Sequence, residues 1–375
     1  MEPIRTCVLG TGLAGLTFHV PFILALPELF SLNAVLERSP KTEGGKLQER
    51  FGVATTIYAT LDDALNDKDI ELIVIATPNE THYEFAKKSL HAGKHVLVDK
   101  PVTATVDQAK ELAELAKSKS LILYAFQNRR WDSDFLALRK LISLAPSSPQ
   151  YLGNVWEFES RFDRFRAVLK GTWKDEPLPA AGQIYDLGTH LIDQALVLFG
   201  RPESLTAFKQ NARGIGHPDV DDSFTIFLYY PANPNRPHPL TAILRAAILS
   251  VHSRPVRYVV RGTKGTFHKY GVDVQEDQLR VITDPTSIHE SGFGREPRDI
   301  HGTIENLQEG GQIVNNRWPS NENGSYIKLY ENLAASIREG AELAVKWEEA
   351  TSVIQLVELA HRSAKEGKTL PVNPL

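Results

Sequence analysis

Along residues 4–121, short apolar runs alternate with longer stretches whose apolar positions recur at helical spacing, the pattern of a parallel sheet covered by helices. The runs at 5–9, 32–36, 72–76, 95–98 and 121–126 are predicted strands. Between them, Asp62-Asp63-Ala64-Leu65 reads as a capped helix start, residues 83–91 as a helix ended by Gly93, and residues 106–118 as a helix with apolar or alanine positions on one face. The order is βαβαβ.

Past Gln127 the period changes. A helix over 133–144 meets a Pro/Ser break at 145–150, and strand-like stretches follow at 154–165, 203–210, 223–230, 240–250 and 257–261, with a helix at 185–199 among them. Residues 284–322 are rich in Gly, Pro, Asn and Glu without a clear period and are expected to be loop or weakly structured insertion. Two helices, 326–339 and 347–366, close the chain. The expected architecture is α/β, with an N-terminal doubly wound parallel sheet over 1–126. An α+β domain on a mostly antiparallel open sheet is expected over 127–375, its C-terminal helices free to pack back on the first domain.

The first strand runs into Gly10-Thr11-Gly12-Leu13-Ala14-Gly15, a G-x-G-x-x-G spacing at a strand-to-helix junction. In that context the first glycine permits the tight turn, the second lets a pyrophosphate approach the backbone, and the third lets helix and strand pack closely. This identifies the sheet as a Rossmann domain for a nicotinamide dinucleotide. The choice of cofactor falls at the end of the second strand. Glu37, 22 residues after Gly15, suits the ribose hydroxyl of NAD, whereas Arg38, Ser39 and Lys41 suit the 2′-phosphate of NADP. NADP is the expected cofactor, with NAD the alternative.

Composition narrows the class without changing it. The 375 residues carry 42 Lys and Arg against 46 Asp and Glu, a net charge of −4 that draws in neither nucleic acid nor an acidic membrane surface. The one cysteine, Cys7, falls in an apolar strand and reads as a small buried hydrophobe; it allows no disulfide within the chain and no cysteine metal site. No stretch is apolar enough to span a bilayer, and the first residues enter a strand pattern without a secretory signal. A cytoplasmic protein acting on a small molecule is expected. Asn323-Gly324-Ser325 reads as polar loop rather than a glycosylation site.

Ala76-Thr77-Pro78-Asn79-Glu80-Thr81-His82 and Ala92-Gly93-Lys94-His95-Val96-Leu97-Val98-Asp99-Lys100-Pro101 resemble the glucose-fructose oxidoreductase / inositol dehydrogenase / MocA family. So do Gln127-Asn128-Arg129-Arg130-Trp131 and the string from Gly182 to Asp193, all in family order. Residues 18–22 and 270–276 are similar to a subgroup containing NADP-dependent scyllo-inositol dehydrogenases. The resemblance implies that Lys100 sits beside nicotinamide and substrate hydroxyl, although the family's Glu-Lys-Pro reads Asp99-Lys100-Pro101 here. It implies that His190 accepts the alcohol proton, a task suited to a pKa of roughly 6.5. Asp186, four residues earlier, would orient substrate or imidazole from the same helix face. It also implies a homodimer or homotetramer through the C-terminal sheet.

The expected cofactor contacts are Gly10, Gly12, Leu13, Gly15, Glu37, Arg38, Ser39, Thr77, Pro78, Asn79, His82, Lys100 and Pro101. His82 has a helix-capping role as its alternative. Asn128, Arg130, Trp131 and Trp173 are weaker substrate candidates, and Trp131 suits the core equally. Asp193 reads either as a partner of the dyad or as a surface acid. Arg161, Arg164 and Arg166 read as surface charges on a strand. No metal is expected, since no His/Cys/Asp/Glu cluster has ligand spacing and Lys100 supplies positive charge. The expected reaction is hydride transfer between nicotinamide C4 and a secondary alcohol or carbonyl of a sugar or polyol. The alternatives are a non-catalytic dinucleotide-sensing regulator of the galactose co-repressor type and redox-neutral NAD-dependent glycoside cleavage.

Overall fold

The computed structural model describes residues 2–375. The first sheet contains β1 (Ile4–Leu9), β2 (Phe30–Leu36), β3 (Thr56–Tyr58), β4 (Leu72–Ile75), β5 (His95–Asp99) and β6 (Leu123–Phe126). It is ordered β3-β2-β1-β4-β5-β6, with every neighbouring pair parallel. This is the Rossmann order, reversing direction between β1 and β4, where ligands enter at the carboxyl ends of the strands. β4 is buried along its whole length, as a strand covered on both faces must be. The connecting helices are α1 (Val20–Ala25), α2 (Gly45–Phe51), α3 (Leu61–Asn66), α4 (His82–His91) and α5 (Val106–Ser118). Thr105 and Gln108 form a capping box that starts α5. Cys7 is fully buried, and burial pushes its thiol up to about 12, so it is a core residue rather than a nucleophile.

The second half begins with α6 (Ser133–Ile142), β7 (Val155–Arg161) and α7 (Thr189–Phe199). The strands β8 (Ser204–Gln210), β9 (Ser223–Tyr230), β10 (Leu240–Ala247), β11 (Val256–Gly262) and β12 (Gly265–Tyr270) follow. Next come α8 (Gln275–Val281), β13 (Gly302–Leu307), β14 (Ile313–Trp318), α9 (Ile327–Glu339), α10 (Trp347–Glu366) and β15 (Leu370–Pro371). The nine-stranded sheet runs β14-β13-β12-β11-β7-β10-β9-β8-β15 and is antiparallel except for the central β7/β10 pair. β9 alternates strictly, with Phe224, Ile226, Leu228 and Tyr230 turned into the core against Leu191, Ile192 and Ala195 of α7.

Two expectations are corrected here. Residues 284–322 are not loop throughout: β13 and β14 pair as an edge hairpin. Their alternation is hidden because the strands rest one face on the core and expose Leu307 and Ile313 on the other. The helix expected to run unbroken from 185 begins as a π-helical turn over Ile184–Gly188 and becomes α-helical at Thr189.

The chain divides into two compact units. The first comprises residues 1–128, 274–294 and 325–351. The later segments are tied into it by specific bonds: Arg50 donates to the carbonyls of Leu279 and Ile282, His289 lies 2.7 Å from the Ala25 carbonyl, and the Trp347 indole donates to the Ala109 carbonyl. The second unit comprises residues 129–273, 295–324 and 352–375.

Candidate active site

At the end of β1, Gly10 has φ of 106°, and a Cβ there would lie 2.8 Å from the Ala76 carbonyl oxygen. A Cβ on Gly15 would collide with the Gly10 carbonyl. Both glycines are therefore required by the fold itself. Gly12 differs: nothing lies within 4 Å of where its Cβ would stand. Packing does not demand glycine at 12, but a phosphate pressing on the backbone does, so the turn fits a dinucleotide. Leu13 beside it is an exposed apolar side chain, 52% accessible.

At the end of β2, Glu37 is buried, and its Oε2 accepts from the Lys46 N–H of α2 at 3.1 Å. Its Oε1 is buried without a hydrogen bond. Arg38, Ser39 and Lys41 are exposed.

The Thr77–His82 turn and the Lys100-Pro101 segment are clamped together. The His82 ring, almost fully buried, has Nδ1 2.7 Å from the Pro101 carbonyl and Nε2 2.9 Å from the Thr77 carbonyl, and burial keeps its pKa below the usual range. The Thr77 and Thr81 hydroxyls bond at 2.6 Å. Asp99, the last residue of β5, accepts the Lys100 N–H on Oδ1 at 2.7 Å. Burial alone would raise the Asp99 carboxyl, but the facing His19 ring and the charges of Lys100 and His82 hold it below the usual carboxylate range. His19 ends a π-helical turn over Gly15–His19 that follows the glycine loop. Lys100 thus leaves a backbone whose neighbours on both sides are fixed.

In the second unit, Arg130 and Asp193 form a buried bidentate pair, Nε to Oδ2 at 2.9 Å and Nη2 to Oδ1 at 2.6 Å. Asp193 therefore has a named partner and is no surface acid. Asp186 lies within the π-helical turn and accepts from Lys174 Nζ at 2.9 Å; the same ammonium sits over the Trp173 ring, 5.4 Å from its centroid. His190 lies in the first turn of α7 and is buried. Asn128 is buried and Trp131 half-buried in the short turn over Asn128–Trp131. Lys100 and Asn128 belong to the first unit; Arg130, Trp131, Trp173, Asp186 and His190 belong to the second.

Two supports have no sequence signal of their own. Asp221 accepts the Ile184 N–H at 2.9 Å, and its backbone carbonyl accepts from Gln183 at 2.9 Å, so it starts the π-helical turn that carries Asp186. Burial pushes its carboxyl up to about 6. Gly182 must be glycine here, with φ of 92° and no room for a Cβ against the Asp221 carboxylate. Behind α7 the fully buried Arg257 donates to Asp134 at 3.1 Å and to Gln194 at 2.9 Å, and Gln194 donates to the Arg129 carbonyl at 3.0 Å. These residues lie far apart in sequence, and no local pattern links them.

Residues 4–127 match an oxidoreductase family described as an NAD-binding Rossmann fold, and residues 150–373 match its C-terminal alpha/beta domain. This chain is a member of the Gfo/Idh/MocA oxidoreductase family. Among its relatives, an uncharacterized oxidoreductase of Schizosaccharomyces pombe is 39% identical over 99% of this chain and all of its own. An NADP(+)-dependent scyllo-inositol 2-dehydrogenase of Bacillus subtilis is 34% identical over 99% of this chain and 96% of its own. An oxidoreductase structure from Yersinia pestis superposes with a TM-score of 0.86 at 34% identity, covering 100% of this chain and 98% of that one. As a member of this family, the chain is an oxidoreductase with a dinucleotide-binding Rossmann domain. Among the described residues no group of three or more His, Cys, Asp or Glu is arranged to hold a metal ion, and no helix is long and apolar enough to cross a membrane.

Proposed function

We propose that this oxidoreductase catalyses reversible hydride transfer between nicotinamide C4 and the carbinol carbon of a secondary alcohol on a sugar, polyol or related small molecule. The observation that carries the reading is the fixing of Lys100, whose N–H is held by Asp99 while His82 clamps the following Pro101 carbonyl. A lysine needed only for solubility requires no such support. The scyllo-inositol dehydrogenase relative supplies the substrate class by similarity.

In this reading the bound nicotinamide supplies or accepts the hydride. The Gly10, Gly12 and Gly15 backbone takes the pyrophosphate, with Leu13, Thr77, Pro78, Asn79 and Pro101 bordering the cofactor. The Lys100 ammonium stabilises charge building on the substrate oxygen, and His190 takes the hydroxyl proton. Asp186, held by Lys174, orients the substrate. Lys100 and His190 come from different units, and their service to one substrate is part of the proposal.

NADP is the proposed cofactor, because one Glu37 oxygen is committed to α2 while Arg38, Ser39 and Lys41 are exposed for a 2′-phosphate. The proposed site of action is the cytoplasm. A homodimer or homotetramer is proposed through the outer face of the second sheet, where the 61% exposed Phe208 meets the Phe227 ring at 6.4 Å and Phe227 stacks on Tyr229.

A screen of sugars and polyols with NAD and NADP in parallel, following reduced-nicotinamide absorbance, tests the proposal. Turnover of at least one polyol or sugar is expected. Tight cofactor binding with no turnover of any alcohol or carbonyl would replace it with the sensor reading.

A further inference from the structure

The segment between α8 and α9 forms a concavity that the proposed chemistry does not use. Its volume is about 390 Å³, and its lining includes Arg295, Arg298, Arg317, His301, Glu296 and Ser320, all in the second unit. The size lies in the range of small-molecule sites, roughly 300–1,000 Å³.

Its electrostatics are one-sided. The three arginines arrive from three places: Arg295 from the loop after α8, Arg298 from the short turn over Arg298–Ile300, and Arg317 from β14. All three are exposed, and no carboxylate among the described residues pairs with any of them. The one carboxylate in the lining, Glu296, is already answered: Lys269 Nζ lies 3.2 Å from its Oε1, and the Ser320 hydroxyl donates to its Oε2 at 2.6 Å. Burial raises the Glu296 carboxyl further towards its neutral form. The crowding of cations registers on His301, whose pKa is lowered by burial and by the charges of Lys269, Arg317 and Arg298.

Unpaired arginines that converge on a concave wall repel one another, a cost that a di-anion bridging them removes. The planar guanidinium fork matches phosphate oxygens in pairs. Beside the cavity, and sharing Pro319 and Asn321 with it, is a smaller apolar slot of about 40 Å³ against Leu136, Ala137 and Trp318. That slot suits an organic substituent on the anion.

We propose that this cavity is a binding site for a small organic phosphate, separate from the glycine-rich turn. The phosphate engages Arg298 and Arg317, with Arg295 at the rim, and the organic part rests against Trp318. The site makes no use of Lys100, His190 or the substrate proposed above, so it stands or falls independently of them.

Calorimetric titration of the full-length protein, saturated with NADP, tests it with phenyl phosphate, inorganic phosphate and phenol as probes. Phenyl phosphate is expected to bind most tightly and phenol not at all. Arg298→Gln combined with Arg317→Gln should weaken phenyl phosphate binding by about tenfold or more, as expected for losing charge-assisted bonds, while NADP affinity stays unchanged. Both side chains are exposed, so the variant should melt at the wild-type temperature. Phenyl phosphate binding that is absent, or equal in wild type and double variant, would overturn the site. Equal affinity for inorganic and phenyl phosphate would remove the organic part of the proposal.

Discussion

His19 and Asp99 face each other in the core of the first unit, with His19 Nε2 3.8 Å from Asp99 Oδ2 and His19 Nδ1 2.7 Å from the Tyr330 hydroxyl. At 3.8 Å the contact is electrostatic rather than a hydrogen bond. Its effect falls on Lys100, because Asp99 Oδ1 accepts the Lys100 N–H. A residue at the end of the glycine-loop turn therefore helps to set the carboxylate that holds the proposed catalytic lysine.

His19→Phe keeps a ring against Phe126 but removes the partner that lowers the Asp99 carboxyl. Because the folded-state pKa of Asp99 is depressed, the stability it contributes is present at neutral pH and lost as pH falls. In the variant that contribution is smaller, so less stability is lost as pH falls. Thermal melts from pH 3 to 7 should show a lower plateau near neutrality and a shallower acid limb. Turnover should fall by about tenfold with KM little changed, as for a positioning residue. A superimposable acid limb would show that His19 does not act on Asp99.

Lys100→Met retains the unbranched stem and deletes the charge. Turnover on a substrate found in the screen should fall by roughly a hundredfold or more, equivalent to about 3 kcal/mol of transition-state stabilisation, with cofactor affinity nearly unchanged. His190→Ala should lower turnover by about a hundredfold and abolish a pH dependence near neutrality. Near wild-type rates in both variants, with circular dichroism confirming the fold, would remove these residues from the mechanism.

Arg38→Glu should reverse cofactor preference. Titrating NADP and NAD into both proteins is the measurement, and a weakening of NADP by about tenfold or more is expected from losing a charge-assisted phosphate contact. If NADP binds the two proteins equally, or NAD binds wild type more tightly, then Glu37, whose buried Oε1 has no hydrogen bond, governs the site.

Asp221 gives the opposite pH sign to Asp99. Its folded-state pKa, pushed up to about 6 by burial, lies above the unfolded value, so the protonated form favours folding. That stability is complete below the unfolded pKa and is lost as pH rises through about 6, amounting to roughly 3 kcal/mol at most. Asp221→Asn should flatten the fall in stability between pH 4 and 8, as read by denaturant midpoints. An unchanged slope would mean that the carboxylate ionises at its ordinary pKa.

The elements that could be read in advance share one property: their pattern is local. β9 was legible because its apolar residues alternate over eight positions, and α5 because its apolar or alanine positions recur at helical spacing. β3 spans three residues of mixed exposure, and the β13–β14 hairpin is stabilised by pairing at a sheet edge, so neither leaves a period to find.

The sequence by itself determined the Rossmann half and the glycine turn, carried by residues within a few positions of one another where backbone sterics and periodicity act directly. Its motifs also carried the resemblance to the family, and with it the proposal of Lys100, Asp186 and His190. Only the tertiary structure decided what supports them, His19 against Asp99, Arg130 on Asp193, Lys174 on Asp186 and Asp221 beneath the π-helical turn, and it alone gathered three arginines around a separate cavity. These pairings depend on side-chain direction and burial between segments from about a dozen to about eighty residues apart, which a one-dimensional pattern does not encode.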